Sequence, residues 1–260
     1  MRIYKIFLLH FQEVFEQRGR TFVWVLSSLI GPILMILFWR GAKAIPGWTI
    51  AQLTSYYFLV IILGAFIMTH IEERIGKLDI LEGQLIMHII KPFPYFWLKF
   101  FYAVPYRIVQ GIFGICLFLV FYFSIPHMFS ITSDVRIFML GVLITFGAFF
   151  LAFIFKMIVG ICAFWVTEAR GLYELVNIVL VVFAGYLMPL SLFPTWLHYI
   201  TNYLPFPYML YFPIMAFTGK LTIEELMPIF GIQLFWICFF YLLYKKIWHE
   251  GLKKFSSVGQ

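Results

Sequence analysis

The sequence predicts an all-α, polytopic membrane protein with six transmembrane helices. Two observations carry that prediction. First, 63% of the 260 residues are hydrophobic and only 12% are charged, whereas a soluble domain is about 45–50% apolar and about 25% charged. Second, the apolar residues fall into six continuous runs near the roughly 20 residues that cross a bilayer as a helix. They do not form the alternating ten-residue segments of a membrane β-barrel. Lipid offers the backbone no hydrogen-bond partner, so each run must satisfy its own amides as a helix. This composition excludes a cytosolic globular enzyme and a disordered chain. A secreted disulfide scaffold is excluded too, because Cys116, Cys162 and Cys238 lie scattered inside apolar runs and read as small hydrophobes.

Residues 1–21 place Ile3, Phe7, Phe11, Val14 and Phe15 on one helical face and Lys5, Gln12 and Glu16 on the other. That pattern predicts an N-terminal amphipathic helix lying in the membrane interface. It has no compact apolar core before a small-residue cleavage site, so it reads as retained. Residues 22–69 hold spans 1 and 2 (22–39 and 50–69). Residues 70–99 form a polar loop in which Glu72, Glu73, Arg74, Lys77, Asp79 and Glu82 interleave with Ile75, Leu78, Leu81 and Leu85. It reads as short amphipathic helices broken at Gly76 and Gly83 and ended by Pro92 and Pro94. Residues 101–193 hold spans 3 to 5 (101–123, 137–165 and 172–193), with Pro105 and Pro189 tolerated as membrane helices tolerate proline. Residues 194–226 are rich in aromatics and proline, which suits either an aromatic belt at the outer interface or a re-entrant turn buried against protein. Span 6 covers 227–247, and a basic tail follows over 248–260.

Orientation follows from the basic residues. Arg2, Lys5, Arg18 and Arg20, then Arg74, Lys77, Lys91 and Lys99, then Arg170, then Lys245, Lys246, Lys253 and Lys254 share one side. Arg40, Lys43, Arg136 and Lys220 face the other. The positive-inside rule puts both termini and the 70–99 loop in the cytoplasm, as six spans require. The chain is therefore expected to be multi-pass in the cell inner (cytoplasmic) membrane. The net charge of +7 belongs to these loops and is no sign of nucleic-acid binding.

Catalytic motifs are missing from the sequence. Gly76-Lys77 and Gly219-Lys220 are each followed by leucine and lack the upstream glycine of a phosphate-binding loop. The six histidines show no metal-ligand spacing, and there is no GxSxG elbow. Charges within spans are functional candidates by default. Arg107 lies about two turns into span 3, where it can snorkel to cytoplasmic headgroups. Lys156 is deeper, in span 4. Glu174 and Asn177, near the start of span 5, are its candidate neighbours. No chain of acids or histidines crosses the bilayer, which disfavours a proton-coupled carrier.

Three stretches resemble the membrane permease subunits of type-2 ABC (ATP-binding-cassette) exporters, closest to a six-span branch of about this length. ILEGQLIMHIIKPFPYF, residues 80–96, matches in Ile80, Glu82, Gly83, Leu85, Lys91, Pro92 and Tyr95. FAGYLMPLSLFPTWLHYITNYLPFPYMLYFPIMAFTG, residues 183–219, matches in Gly185, Pro189, Phe193, Pro194, Trp196, Leu204, Pro205, Phe206, Tyr211, Pro213 and Gly219. The tail WHEGLKKFSSVG, residues 248–259, matches in Trp248, Gly251, Leu252 and Gly259, with Phe255 where tyrosine is common.

The resemblance implies a transmembrane permease subunit of an ATP-driven exporter, forming the substrate path as a homo- or heterodimer with a second permease subunit. It implies two copies of a separate ATPase subunit, which bind the ATP and Mg; no cofactor is expected on this chain. The 70–99 loop becomes a coupling loop, with Glu72, Glu73, Glu82 and Gly83 meeting the ATPase and Ile80, Leu81 and Leu85 filling its cleft. Re-entrant helices between spans 5 and 6 become an outer gate built from Pro189, Pro194, Trp196, Pro205, Phe206 and Tyr211. Lys156, Glu174 and Asn177 are the intramembrane polar residues, and spans 1, 2 and 5 are the implied path. The alternative function is an ATP-independent secondary carrier or channel.

Overall fold

The computed structural model describes residues 47–166 and 168–258 continuously, residues 33–39 and 41, and positions 11, 12, 19, 23, 27 and 30. Most of the expected interfacial helix over residues 1–21, and residues 22, 24–26, 28, 29, 31 and 32 of span 1, lie outside the described residues. Residues 33–39, at the end of span 1, are helical. Among the described residues all regular structure is helical. Four stretches are long and apolar enough to cross a membrane: Ile50–Leu81, Tyr95–Ser124, Val135–Phe164 and Ile223–Phe255. They coincide with the expected spans 2, 3, 4 and 6.

Helix α1, Ile50–Ile67, starts at a capping box. The Thr49 hydroxyl accepts from the Gln52 amide at 3.2 Å, and the Gln52 side chain accepts from the Thr49 amide at 3.1 Å. Two of the four orphan amides of the first turn are thereby satisfied. Almost every α1 side chain is buried, as expected for a helix that is apolar on all sides. After a break at Met68–His70 the chain winds again as α2, Ile71–Glu73, and continues without interruption as a π-helix over Arg74–Leu81. Gly76 does not break it, contrary to expectation. The glycine is needed for contact: a Cβ there would overlap the Tyr173 hydroxyl. Gly83 does end the helix, with φ +78°. The short α3, Leu85–Ile89, follows, and Pro94 starts α4, Tyr95–Ser124, which carries Pro105 inside it.

Helix α5, Val135–Ile161, is capped by Asp134, whose side chain accepts from the Arg136 amide at 2.8 Å. It packs against α1 and against α9, Ile223–Val258. Span 5 is shorter than expected. Helix α6, Arg170–Phe183, has 14 residues, about 21 Å at 1.5 Å per residue, against the roughly 30 Å of a bilayer core. The apolar run continues to Phe193, but Gly185 takes φ +90°, and a Cβ there would meet the Tyr56 hydroxyl oxygen at 2.6 Å. Two α1 tyrosines satisfy the carbonyls released by this break. Tyr56 donates to the Gly185 carbonyl at 2.6 Å and Tyr57 to the Leu187 carbonyl at 3.0 Å.

The chain then forms α7, Thr195–Asn202, and α8, Tyr211–Thr218, joined by a tight turn over Phe206–Met209. They differ sharply. Trp196, Tyr199 and Tyr203 are exposed at the α7 end, whereas every α8 side chain is buried, against α5 and α1. Gln233 of α9 is fully buried and donates to the Ile144 carbonyl at 3.0 Å and the Tyr208 carbonyl at 2.9 Å, fixing this turn to two long helices.

Candidate functional site

The site begins with a close approach of α2 to α5. At Gly160 a Cβ would lie 2.9 Å from the Ile75 Cβ and 3.2 Å from the Glu72 Cα, so glycine lets the two helices touch. That contact brings Glu72 to Lys156, one turn earlier on α5. Lys156 Nζ donates to Glu72 Oε1 at 2.5 Å and to Asn177 Oδ1 of α6 at 2.8 Å. Glu72 and Lys156 are each 1% exposed. A buried cation needs such partners, because transfer of an isolated charge out of water is prohibitive.

Of the expected neighbours of Lys156, Asn177 is present and Glu174 is not. Glu174 lies on the exposed side of α6, and the acid that pairs is Glu72, 84 residues away in sequence. Arg107 also departs from expectation. It does not reach toward headgroups; it is 9% exposed and donates to the Ala65 carbonyl of α1 at 3.2 Å. Tyr186 and Glu72 are its electrostatic neighbours.

Lys156 and Asn177 form part of the wall of a cavity of about 460 Å³. Its other polar lining is His70 and Tyr186; Val60, Ile61, Leu180 and Val181 are among the apolar residues, and Met35 lines it from the 33–39 helix. The residues run in order. Along α1 the lining passes from Val60 to Met68 and His70, and along α6 from Val181 back to Asn177, so the polar groups gather at the end nearest α2.

A second buried charge fixes the remainder of the 71–99 segment. Asp79 is 1% exposed. Lys99 Nζ lies 2.5 Å from its Oδ2, the Tyr95 hydroxyl donates to the same oxygen, and His88 Nε2 is 3.4 Å from Oδ1. Burial, with Lys99 adding to it, holds the His88 imidazole below its ordinary range, although Asp79 opposes the shift. Tyr95 in turn stacks on Trp248 of α9 at 4.6 Å with the rings 9° apart. Gly251, one turn on, admits the Phe164 ring, which a Cβ would overlap. The segment after α1, the start of α4 and the end of α9 therefore form one interlocked end of the molecule.

The residues expected to face an ATPase divide between two sides of this segment. Glu72, Ile80 and Leu85 point inward and are buried, so they hold the segment in place and are not available on its surface. Glu73, Leu81 and Glu82 are exposed, with Gly83 partly so. The sequence reading missed the neighbouring apolar surface of Ile86, Met87, Ile89 and Ile90, all exposed. An apolar run after Gly83 in an otherwise charged loop was the available signal. The six outer residues likewise do not converge. Pro189, Pro205 and Tyr211 are buried, Phe206 packs on Phe155 at 5.6 Å, and Pro194 and Trp196 are exposed.

The long apolar helices and the charges buried between them fit a multi-pass membrane protein. The model of the ABC-2 family transporter proteins matches residues 22–259, and the chain belongs to that family. It is thus a permease component of an ABC transporter, a family that works with an ATPase partner. No curated protein matches the chain.

Proposed function

We propose that this chain is the permease subunit of an ATP-driven exporter, working as a pair of permease subunits above two ATPase subunits that carry the ATP and Mg. The carrying observation is the surface formed by Leu81, Ile86, Met87, Ile89 and Ile90 on a segment whose opposite face is locked by Asp79 and Leu85. Apolar side chains grouped at a polar end of the molecule favour a partner that removes them from water, and Glu73 and Glu82 beside them supply charge for basic groups on that partner. The chain lies in the inner membrane with both termini cytoplasmic and residues 194–226 re-entrant at the outer end. A push on residues 81–90 passes along the continuous helix of residues 71–81 to Glu72, and from there through Lys156 to α5 and through Asn177 to α6. Nucleotide on the partner thereby biases two packings of the helices around the cavity.

The test is co-purification with the ATPase subunit after co-expression. Met87→Asp and Ile90→Asp, both at exposed positions, are expected to abolish the association while the permease still inserts and folds. Glu82→Lys is expected to weaken it. Undiminished association and undiminished ATPase stimulation in all three variants would overturn the reading. Transport into proteoliposomes without any ATPase would favour a carrier or channel instead.

A further inference from the structure

We infer that the cavity between α1, α5 and α6 is a binding site for a single-chain amphiphile whose polar end carries negative charge. Its dimensions and its polarity gradient come first. A volume of about 460 Å³ lies within the roughly 300–1,000 Å³ of small-molecule sites. Val60, Ile61, Val181 and Leu187 line one end and His70, Lys156 and Asn177 the other. An apolar chain with one polar head matches that order.

The sign of the head follows from the charge inventory. Two buried cations bear on the polar end, Lys156 in the cavity wall and Arg107 on the carbonyl of the wall residue Ala65, and among the described residues Glu72 is the carboxylate that pairs with Lys156 and neighbours Arg107. Glu73, Glu168 and Glu174 are exposed, and the buried Asp79 is paired with Lys99. Among the described residues the buried set of Lys156, Arg107 and Glu72 therefore carries one excess positive charge, which a low-dielectric interior penalises unless an anion answers it. Donors remain to receive that anion. An ammonium has three hydrogens, and Lys156 spends two on Glu72 and Asn177. Arg107 is outside the cavity lining; it donates from Nη1 to the carbonyl of Ala65, whose residue lines the cavity, and acts there through its charge. The Tyr186 hydroxyl, on the cavity wall, is a further donor. A cationic head would meet two like charges here, and a neutral head would leave the excess charge unanswered.

The inference rests on the permease reading for its meaning as cargo, but its test needs no ATPase. Radiolabelled dodecyl phosphate is titrated into the full chain in phosphatidylcholine nanodiscs and corrected against empty discs. Dodecyltrimethylammonium and dodecyl maltoside give the cationic and neutral comparisons at equal chain length. The expected result is saturable binding at one site per chain, at least tenfold tighter for the phosphate than for either comparison. Val181→Trp, at a position exposed enough to accept the ring, fills the apolar end and abolishes saturable binding. Arg107→Gln reduces the preference for the anion about tenfold. No saturable binding, equal or reversed preference, binding unchanged in Val181→Trp, or full displacement by inorganic phosphate alone would each overturn the site. Loss of binding with ATPase association intact removes this inference alone; loss of association with binding intact removes the permease reading alone.

Discussion

The two ends of the molecule are held by different chemistry. At the end formed by α2, the start of α4 and the end of α9, the fastening contacts are buried ion pairs: Glu72 with Lys156, and Asp79 with Lys99. At the opposite end they are neutral side chains on backbone carbonyls: Tyr56 on Gly185, Tyr57 on Leu187, and Gln233 on Ile144 and Tyr208. Neutral bonds of this kind fix the shape of an irregular chain in an apolar setting, because each missing partner leaves a buried polar group exposed to nothing. Buried ion pairs add little net stability, yet they are intolerant of losing one member. The first arrangement suits a frame. The second suits a junction that must transmit force without slipping, and it lies where the partner ATPase is proposed to dock.

The comparison can be broken most severely at Lys156. Lys156→Met removes the hydrogen-bonded partner of the Glu72 carboxylate and is expected to cost about 3–5 kcal/mol, read by thermal or denaturant unfolding in detergent. The double variant Glu72→Gln with Lys156→Met is expected to recover most of that loss. A double variant no better than the single one would show that the pair itself stabilises the junction. At the neutral end the effects are smaller. Gln233→Leu withdraws two donated hydrogen bonds, a loss of about 1–3 kcal/mol. Gly185→Ala forces an L-residue to φ +90°, which costs about 1–2 kcal/mol before the contact with Tyr56 is counted. A loss at Gly185 larger than that at Lys156 would invert the ranking of the two ends. Trp196→Ala, on an exposed face of α7, is expected to change stability by less than about 0.5 kcal/mol.

Much of the frame was legible in the sequence because apolar length is a local property. Spans 2, 3, 4 and 6 and the turn at Gly83 emerge where they were expected, although α4 starts at Tyr95, six residues before the expected span 3, and α9 runs on to Val258, eleven residues past the expected span 6. Span 5 was overextended because its apolar run continues past Gly185, and only the contact with Tyr56 shows that the glycine stops the helix there. Gly76 erred in the opposite sense. A glycine among charged residues reads as a breaker, but here its missing side chain makes room for Tyr173. The site was half legible. Lys156 and Asn177 were recognised as polar residues in apolar surroundings. Glu72, their partner, was hidden in a charged loop, and no spacing rule links positions 84 residues apart. Arg107 near a helix end reads as a snorkelling cation, and only packing against α1 reveals it as buried.

The ATPase is proposed to meet the ion-paired end and not the neutral one. Placing a photoreactive phenylalanine at Met87 in one variant and at Trp196 in another, both exposed positions, tests it directly in membranes that contain the co-expressed ATPase. The residue at position 87 is expected to cross-link to the ATPase subunit, and the one at position 196 is not. Cross-linking from position 196 alone, or from neither position while the complex still co-purifies, would contradict it.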